Sequence, residues 1–228
     1  MTPYETINQY ILDDVGRPDM QSIIDRRIQR SLMNHHRMER FQKDLVEQIY
    51  VFTPPETMAS LYTPEGSNSL FLTNANPVNK NYVQQIDKRL LTRWRLFIYL
   101  NKFNTIDPLG NGSGISGEIT EKNPDSMFNA YGGQLEDVYY ESGDYINIRA
   151  SHALNQVFMG YISDPLIEPV ASIYSWVAKD WPSVIAADVK RRIFGDIGKQ
   201  DEQKSAEIEY KEQLLLFLGN NVKISSRK

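Results

Sequence analysis

Val138-Tyr139-Tyr140-Glu141-Ser142-Gly143-Asp144-Tyr145-Ile146-Asn147-Ile148-Arg149 is the stretch on which the fold turns. Two runs rich in aromatic and β-branched residues flank Ser142-Gly143-Asp144, with glycine where a tight turn needs positive φ, which predicts a hairpin within Asp137 to Ala150. Working outward, Val157-Phe158-Met159-Gly160-Tyr161 reads as a further strand. Upstream, Arg93 to Leu100 is aromatic enough for a strand, although its pattern also fits a helix. Leu70-Phe71-Leu72-Thr73 is a short strand candidate. Val46, Gln48, Tyr50 and Phe52 alternate with Glu47, Ile49 and Val51 as a strand would, with a longer helix as the alternative, and Pro54-Pro55 stops either one. Between Pro54 and about Tyr161 helical signals are scarce and turn residues dense. The middle of the chain therefore reads as β-rich.

Both ends read as helical. Thr2 and Glu5 have capping-box spacing, Pro3 takes the first helical position, and Tyr4, Ile7 and Ile11 form an apolar stripe that Gly16 ends. After Pro18-Asp19, Met20, Ile24, Ile28 and Leu32 line one face of a longer helix, whose other face carries Asp25, Arg26, Gln29, Arg30 and Arg37. Beyond Pro165, Ser172 to Lys179 is a short apolar helix. Ile185, Ala186, Val189 and Ile193 give a clean 3.6-residue face ending at Gly195. Ala206, Tyr210, Leu214 and Phe217 stripe a last helix that Gly219-Asn220 close. The expected fold class is α+β: a helical bundle formed by the N- and C-terminal helices (1–45 and 165–220) with a β-rich insertion (46–164) between them. Residues 221–228, mostly polar and basic, are expected to be a flexible tail unless an outside partner binds them.

Composition narrows the chemistry. The chain has 228 residues, 41% hydrophobic and 24% charged, enough for a substantial core. Its lack of cysteine rules out disulfides, thiolate nucleophiles, cysteine-held clusters and cysteine-ligated zinc, and fits a reducing site of synthesis. With 25 basic and 29 acidic residues, net charge −4, it is no globally basic nucleic-acid binder. Met1 to Glu5 carries no basic region leading into an apolar run, and Leu214 to Leu218 is too short to span a bilayer, so neither export signal nor membrane association is expected.

The motif candidates are weak. Gly112-Ser113-Gly114-Ile115-Ser116-Gly117 matches G-x-G-x-x-G, but nothing after it reads as a glycine-opened helix, and the segment reads as a flexible loop. His35 and His36, adjacent on a helix, point about 100° apart and cannot share a metal, while His152 lies elsewhere; packing and surface hydrogen bonds account for them. A glycosidase-like pair could be drawn from Glu136, Asp137, Glu141 and Asp144. The arginines Arg26, Arg27, Arg30, Arg37 and Arg40 interleave with Asp25, Glu39 and Asp44, as on a solvated or subunit-facing helix. No nucleophile elbow is present. Catalytic residues, cofactors and metal ligands are therefore assigned to none.

Gly16-Arg17-Pro18-Asp19-Met20 with the spaced isoleucines, His36, Phe41 and Asp44-Leu45-Val46-Glu47 form one group of stretches; Leu91-Thr92-Arg93-Trp94-Arg95, Tyr139 to Arg149, Gly160 to Pro165, Ser175-Trp176-Val177-Ala178, Trp181-Pro182 and Phe194 to Gly198 follow in order. Together these stretches resemble the head-to-tail adaptor proteins of short-tailed bacteriophages. The order of the pieces carries the likeness, and the Gly-rich loop 107–129 matches none of it. The resemblance implies a non-enzymatic virion protein of the neck, made in the host cytoplasm. It would form a homo-oligomeric, dodecameric ring that docks under the portal protein, lengthens the DNA exit channel and attaches the tail hub or nozzle. Double-stranded DNA would pass without specific binding. Lys223, Arg227 and Lys228 of the tail are then portal-binding candidates. The alternative is a virion-associated peptidoglycan-cleaving enzyme using the carboxylate pair.

Overall fold

The computed structural model describes residues 1–52, 82–104, 114–123, 137–150, 154–167 and 175–224. The chain forms two units, Met1–Leu45 with Asp164–Lys228, and Val46–Ser163.

In the first unit, α1 (Pro3–Val15) starts on a complete capping box, in which Thr2 Oγ1 accepts the Glu5 N–H and Glu5 Oε2 accepts the Thr2 N–H. α2 (Gln21–Arg37) follows a 3-10 turn at Pro18–Met20. The chain returns to this unit with α3 (Trp176–Asp180), capped by Ser175, then α4 (Pro182–Asp196) and α5 (Gln200–Asn220). α4 is buried along most of its length, and α1, α2 and α5 each pack on it. Ile7, Ile11, Ile24, Ile28, Leu32, Val189, Ile193 and Phe217 are the centre of one continuous core.

The second unit is a seven-stranded curled sheet in the order β1-β7-β3-β4-β5-β6-β2. Its strands are β1 (Leu45–Val51), β2 (Tyr82–Asp87), β3 (Trp94–Asn104), β4 (Gly114–Glu121), β5 (Val138–Ser142), β6 (Tyr145–Ala150) and β7 (Gln156–Ser163). β5 and β6 make the expected hairpin, with Val138 opposite Arg149, Ser142 opposite Tyr145, and Gly143 at φ 55° in the turn. β4 and β5 run parallel, while β3 pairs antiparallel with β4 and β7, and β2 with β6. Ile86, Phe97, Leu100, Ile119, Ile146, Ile148, Met159 and Tyr161 fill a separate core on the inner face.

This corrects the expected fold class. The chain is a mixed α/β protein with five helices among its described residues, not a helical bundle carrying an insertion. The β segment builds its own hydrogen-bond ladder across seven strands and buries its own apolar set, so it does not depend on helices for a core. Gly114 to Glu121, expected within a loop, is an inner strand paired on both sides. The Leu70–Thr73 strand candidate lies outside the described residues.

Candidate functional site

The polar groups most deeply placed in the first unit surround the two adjacent histidines. His36 Nδ1 is 2.7 Å from Asp44 Oδ1, and its Nε2 is 2.8 Å from Ser175 Oγ. The indole N–H of Trp176 donates to the same Asp44 oxygen at 2.7 Å. Serine, histidine and aspartate in this order have the connectivity of an acyl-transfer triad. Access decides against that chemistry. Ser175 is 7% exposed, His36 1% and Asp44 4%, so no carbonyl can approach within the roughly 3.5 Å that attack requires. The serine hydroxyl also accepts the Ala178 N–H as the N-cap of α3. What the array does is tie the end of α2, the 3-10 turn Gln42–Asp44 and the start of α3 together through one imidazole. Asp44 Oδ2 is buried without a hydrogen-bond partner among the described residues, which makes the remaining bonds to this carboxylate costly to lose.

His35 faces the other way. Its Nδ1 donates to the Ser31 carbonyl at 2.7 Å, and its ring packs edge-on against Tyr210 and Phe217 of α5. Burial pushes its pKa below the ordinary histidine value, against the opposing pull of the Ser31 carbonyl and Asp188. The Ser31 hydroxyl donates to Asp188 Oδ2 at 2.7 Å, while Arg191 and Arg192 donate to Oδ1 at 2.6 and 3.1 Å. Burial pushes the Asp188 carboxyl up, but these bonds from Ser31 and the guanidinium groups outweigh it and hold the carboxyl below its usual range. No cluster of three metal-ligating side chains occurs among the described residues. His152 lies outside them.

Three of the four carboxylates from which a pair could be drawn are directed at a cation. Asp137 Oδ2 meets Lys102 Nζ at 2.5 Å, Glu141 meets Lys88 at 3.1 Å, and Asp144 meets Arg89 at 3.9 Å. Glu136 lies outside the described residues. In α2, Arg27 pairs with Asp196 at 2.8 Å and Arg37 with Asp164 at 2.5 Å. The arginines are thus partly consumed by ion pairs rather than set out as a phosphate-binding row.

Lys223 stands in a short antiparallel bridge opposite Phe41. The Gln42 N–H donates to the Val222 carbonyl at 3.0 Å, the Ile224 N–H donates to the Arg40 carbonyl at 2.7 Å, and Lys223 Nζ reaches Glu39 at 3.2 Å. Sequence reasoning missed this pairing, although Val222 and Ile224, β-branched residues flanking a lysine, were the available signal. Arg227 and Lys228 lie outside the described residues.

Two apolar surfaces are consumed by neither core. α5 is apolar on both sides: Ala206, Tyr210 and Phe217 are buried, whereas Ile208, Leu215 and Leu216 are 61%, 73% and 53% exposed. At about 100° per residue, Ile208 and Leu215 fall some 160–180° from Phe217, so the helix carries a second stripe pointing away from its own core. The other surface is the outer side of the sheet. Tyr99 lies across Gly160, where a Cβ would sit 2.5 Å from the ring, and its hydroxyl reaches Glu47 of β1. Phe158 packs 6.0 Å from Tyr99 and 6.5 Å from Phe103, and Phe103 pairs with the exposed Ile115. By strand alternation Ile49 and Val51 share the face of Glu47, and both are exposed.

No helix among the described residues is long and apolar enough to cross a membrane. No protein-family model matches the chain, and no curated protein shows significant similarity to it.

Proposed function

We propose that the chain is a ring-forming virion adaptor that docks beneath a portal protein, extends the DNA exit channel and attaches the tail hub or nozzle. The observation that carries this reading is the second apolar stripe of α5. A helix that has already buried one face in its own core and still exposes Ile208, Leu215 and Leu216 is built for self-association or for a partner. The ordered sequence resemblance to phage adaptors names which kind. The net charge of −4 supports it, because a channel wall that neutralised phosphates would retard passing DNA. The tail residues Arg227 and Lys228, with Lys223, are the proposed contacts to the portal. The ionisable groups described above are engaged in structural bonds, which favours an interface protein over a hydrolase.

Mixing the purified chain with the cognate portal protein tests the proposal, with subunits counted by native mass spectrometry or electron microscopy. A closed ring on the portal, twelve subunits by the resemblance, is the expected result. Lytic activity on peptidoglycan that disappears in Asp137→Asn or Glu141→Gln would overturn it in favour of the enzyme reading. Failure to bind any portal would also sink it.

A further inference from the structure

In sequence the arginines of α2 and the turn after it are interleaved with Asp25, Glu39 and Asp44, as though the segment neutralised itself. The fold draws all three acids away. Asp25 accepts the Tyr4 hydroxyl at 2.6 Å and the Gln21 amide at 2.8 Å, Asp44 is buried against His36, and Glu39 pairs with Lys223 at 3.2 Å. At about 100° and 1.5 Å per residue, Arg26, Arg30 and Arg37 fall within about 40° of one another, over about 16.5 Å of helix axis. Asp25, the one acid of α2, lies about 120° from the centre of that row. All three arginines are exposed. Arg37 is held by Asp164 at 2.5 Å, and Arg26 gives its Nε–H to the Ser22 carbonyl of its own helix. Neither Arg26 nor Arg30 has an ion pair among the described residues.

We propose that this arginine face of α2 docks an acidic surface of the portal protein. The inference rests on the adaptor reading above and names the helix that holds the portal and the chemistry it meets there.

Charge sets the sign of the partner, since guanidinium groups without a counter-ion are matched by carboxylates, which their planar fork grips in pairs. The surroundings set its class. Met33, half-buried, lies on the same face between Arg30 and Arg37, and Met38, 39% exposed, follows the helix. Arginine and methionine are enriched where proteins meet, and a thioether adapts to apolar side chains but gains nothing from a phosphate backbone. The net charge of −4 would also repel an extended polyanion, whereas carboxylates seated on the row act within a Debye length of about 8 Å. Continuity points to the portal. Arg40 is exposed just beyond α2, and its carbonyl accepts the Ile224 N–H at 2.7 Å, so the row runs on into the strand of Lys223. Lys223 is one of the cations assigned above to portal contact.

Binding of the full chain to the cognate portal tests this. Arg30→Glu is expected to weaken binding at least about tenfold, and Lys122→Glu, the same charge change at the exposed end of β4, to leave it unchanged. Both positions are exposed, and unchanged thermal melting shows that the variants fold. A second variant identifies the partner group. α2 contains no lysine, so Arg30→Lys gives it a single amine that keeps the positive charge. Treated with a carbodiimide on the portal, this variant is expected to yield a peptide joined through residue 30 to a portal aspartate or glutamate. Equal weakening by both reversals, or by neither, would overturn the proposal while leaving the adaptor reading intact. A crosslink from residue 30 to a second copy of the chain would overturn it in favour of a contact within the ring. Affinity for labelled duplex DNA that Arg30→Glu abolishes would overturn the protein partner. If the wild-type chain binds no portal, the adaptor reading falls and this contact with it.

Discussion

At the scale of the residue, His36 connects three separate stretches of chain through two ring nitrogens, and its loss strands a buried carboxylate. His36→Ala removes the imidazole from Asp44 Oδ1, leaving the Trp176 indole N–H on that oxygen, and opens space beside the Trp176 ring. The expected cost is about 3 kcal/mol, read as a lowered urea midpoint at pH 7. Adding Asp44→Asn to that variant should cost less than the two singles combined, because the amide needs no counter-charge. The close approach at Gly160 makes a second prediction. Gly160→Ala must displace the Tyr99 ring and with it the bond to Glu47, costing about 1–3 kcal/mol, whereas Tyr99→Phe loses only the hydrogen bond, about 1 kcal/mol. Neither site was legible. Packing accounts for both histidines, against Tyr210, Phe217 and Trp176, but the hydrogen bonds expected at the surface are buried, and their partners lie up to 139 positions away in the case of His36 and Ser175. A fixed helical spacing shows which residues share a face, but not which distant hydroxyl arrives to meet them.

At the scale of the element, local signals worked where a local interaction decides the structure. The α1 start was readable because the capping box is made between residues three apart. Thr2→Ala should destabilise by about 1 kcal/mol, measured by chemical denaturation. The α5 stripe Ala206, Tyr210, Phe217 was equally readable, but the same helix carries apolar residues on its opposite face, which a core-seeking reading passes over. The two faces should respond differently. Phe217→Ala opens a cavity in the core and should cost about 3–5 kcal/mol, while Leu215→Ser should change the stability of the isolated chain by less than about 0.5 kcal/mol. Parallel unfolding curves of the two variants check this. β4 was hidden for a related reason. Gly114 and Gly117 have low strand propensity, and the segment is a strand because β3 and β5 supply hydrogen bonds on both sides.

At the scale of the whole molecule, stability should depend on pH through His35 before any carboxylate matters. Its pKa is lowered in the fold by burial, so the unfolded chain takes up a proton near pH 6.5 that the folded chain refuses. Stability is therefore full above that pH and declines as pH falls below it, by up to about 1.4 kcal/mol per unit, until the folded-state pKa is reached. Asp188 titrates in the same order at lower pH: its carboxyl is held low in the fold, so its contribution is present above the ordinary aspartate pKa and is lost as pH falls below it towards the folded-state pKa. Urea midpoints compared at pH 7.5 and 5.5 should fall in the natural chain and fall less in His35→Gln. By itself the sequence determined the helical ends, the central hairpin and the absence of thiol chemistry, because caps, periodicity, turn residues and composition act over a few neighbouring positions or none. Only the tertiary structure decided that the β segment is a seven-stranded sheet with its own core, that His36 braces Asp44 to Ser175, and that α5 has a face left over. These depend on pairing and burial between residues far apart in the chain, where the free energy belongs to the assembled contact rather than to either segment alone.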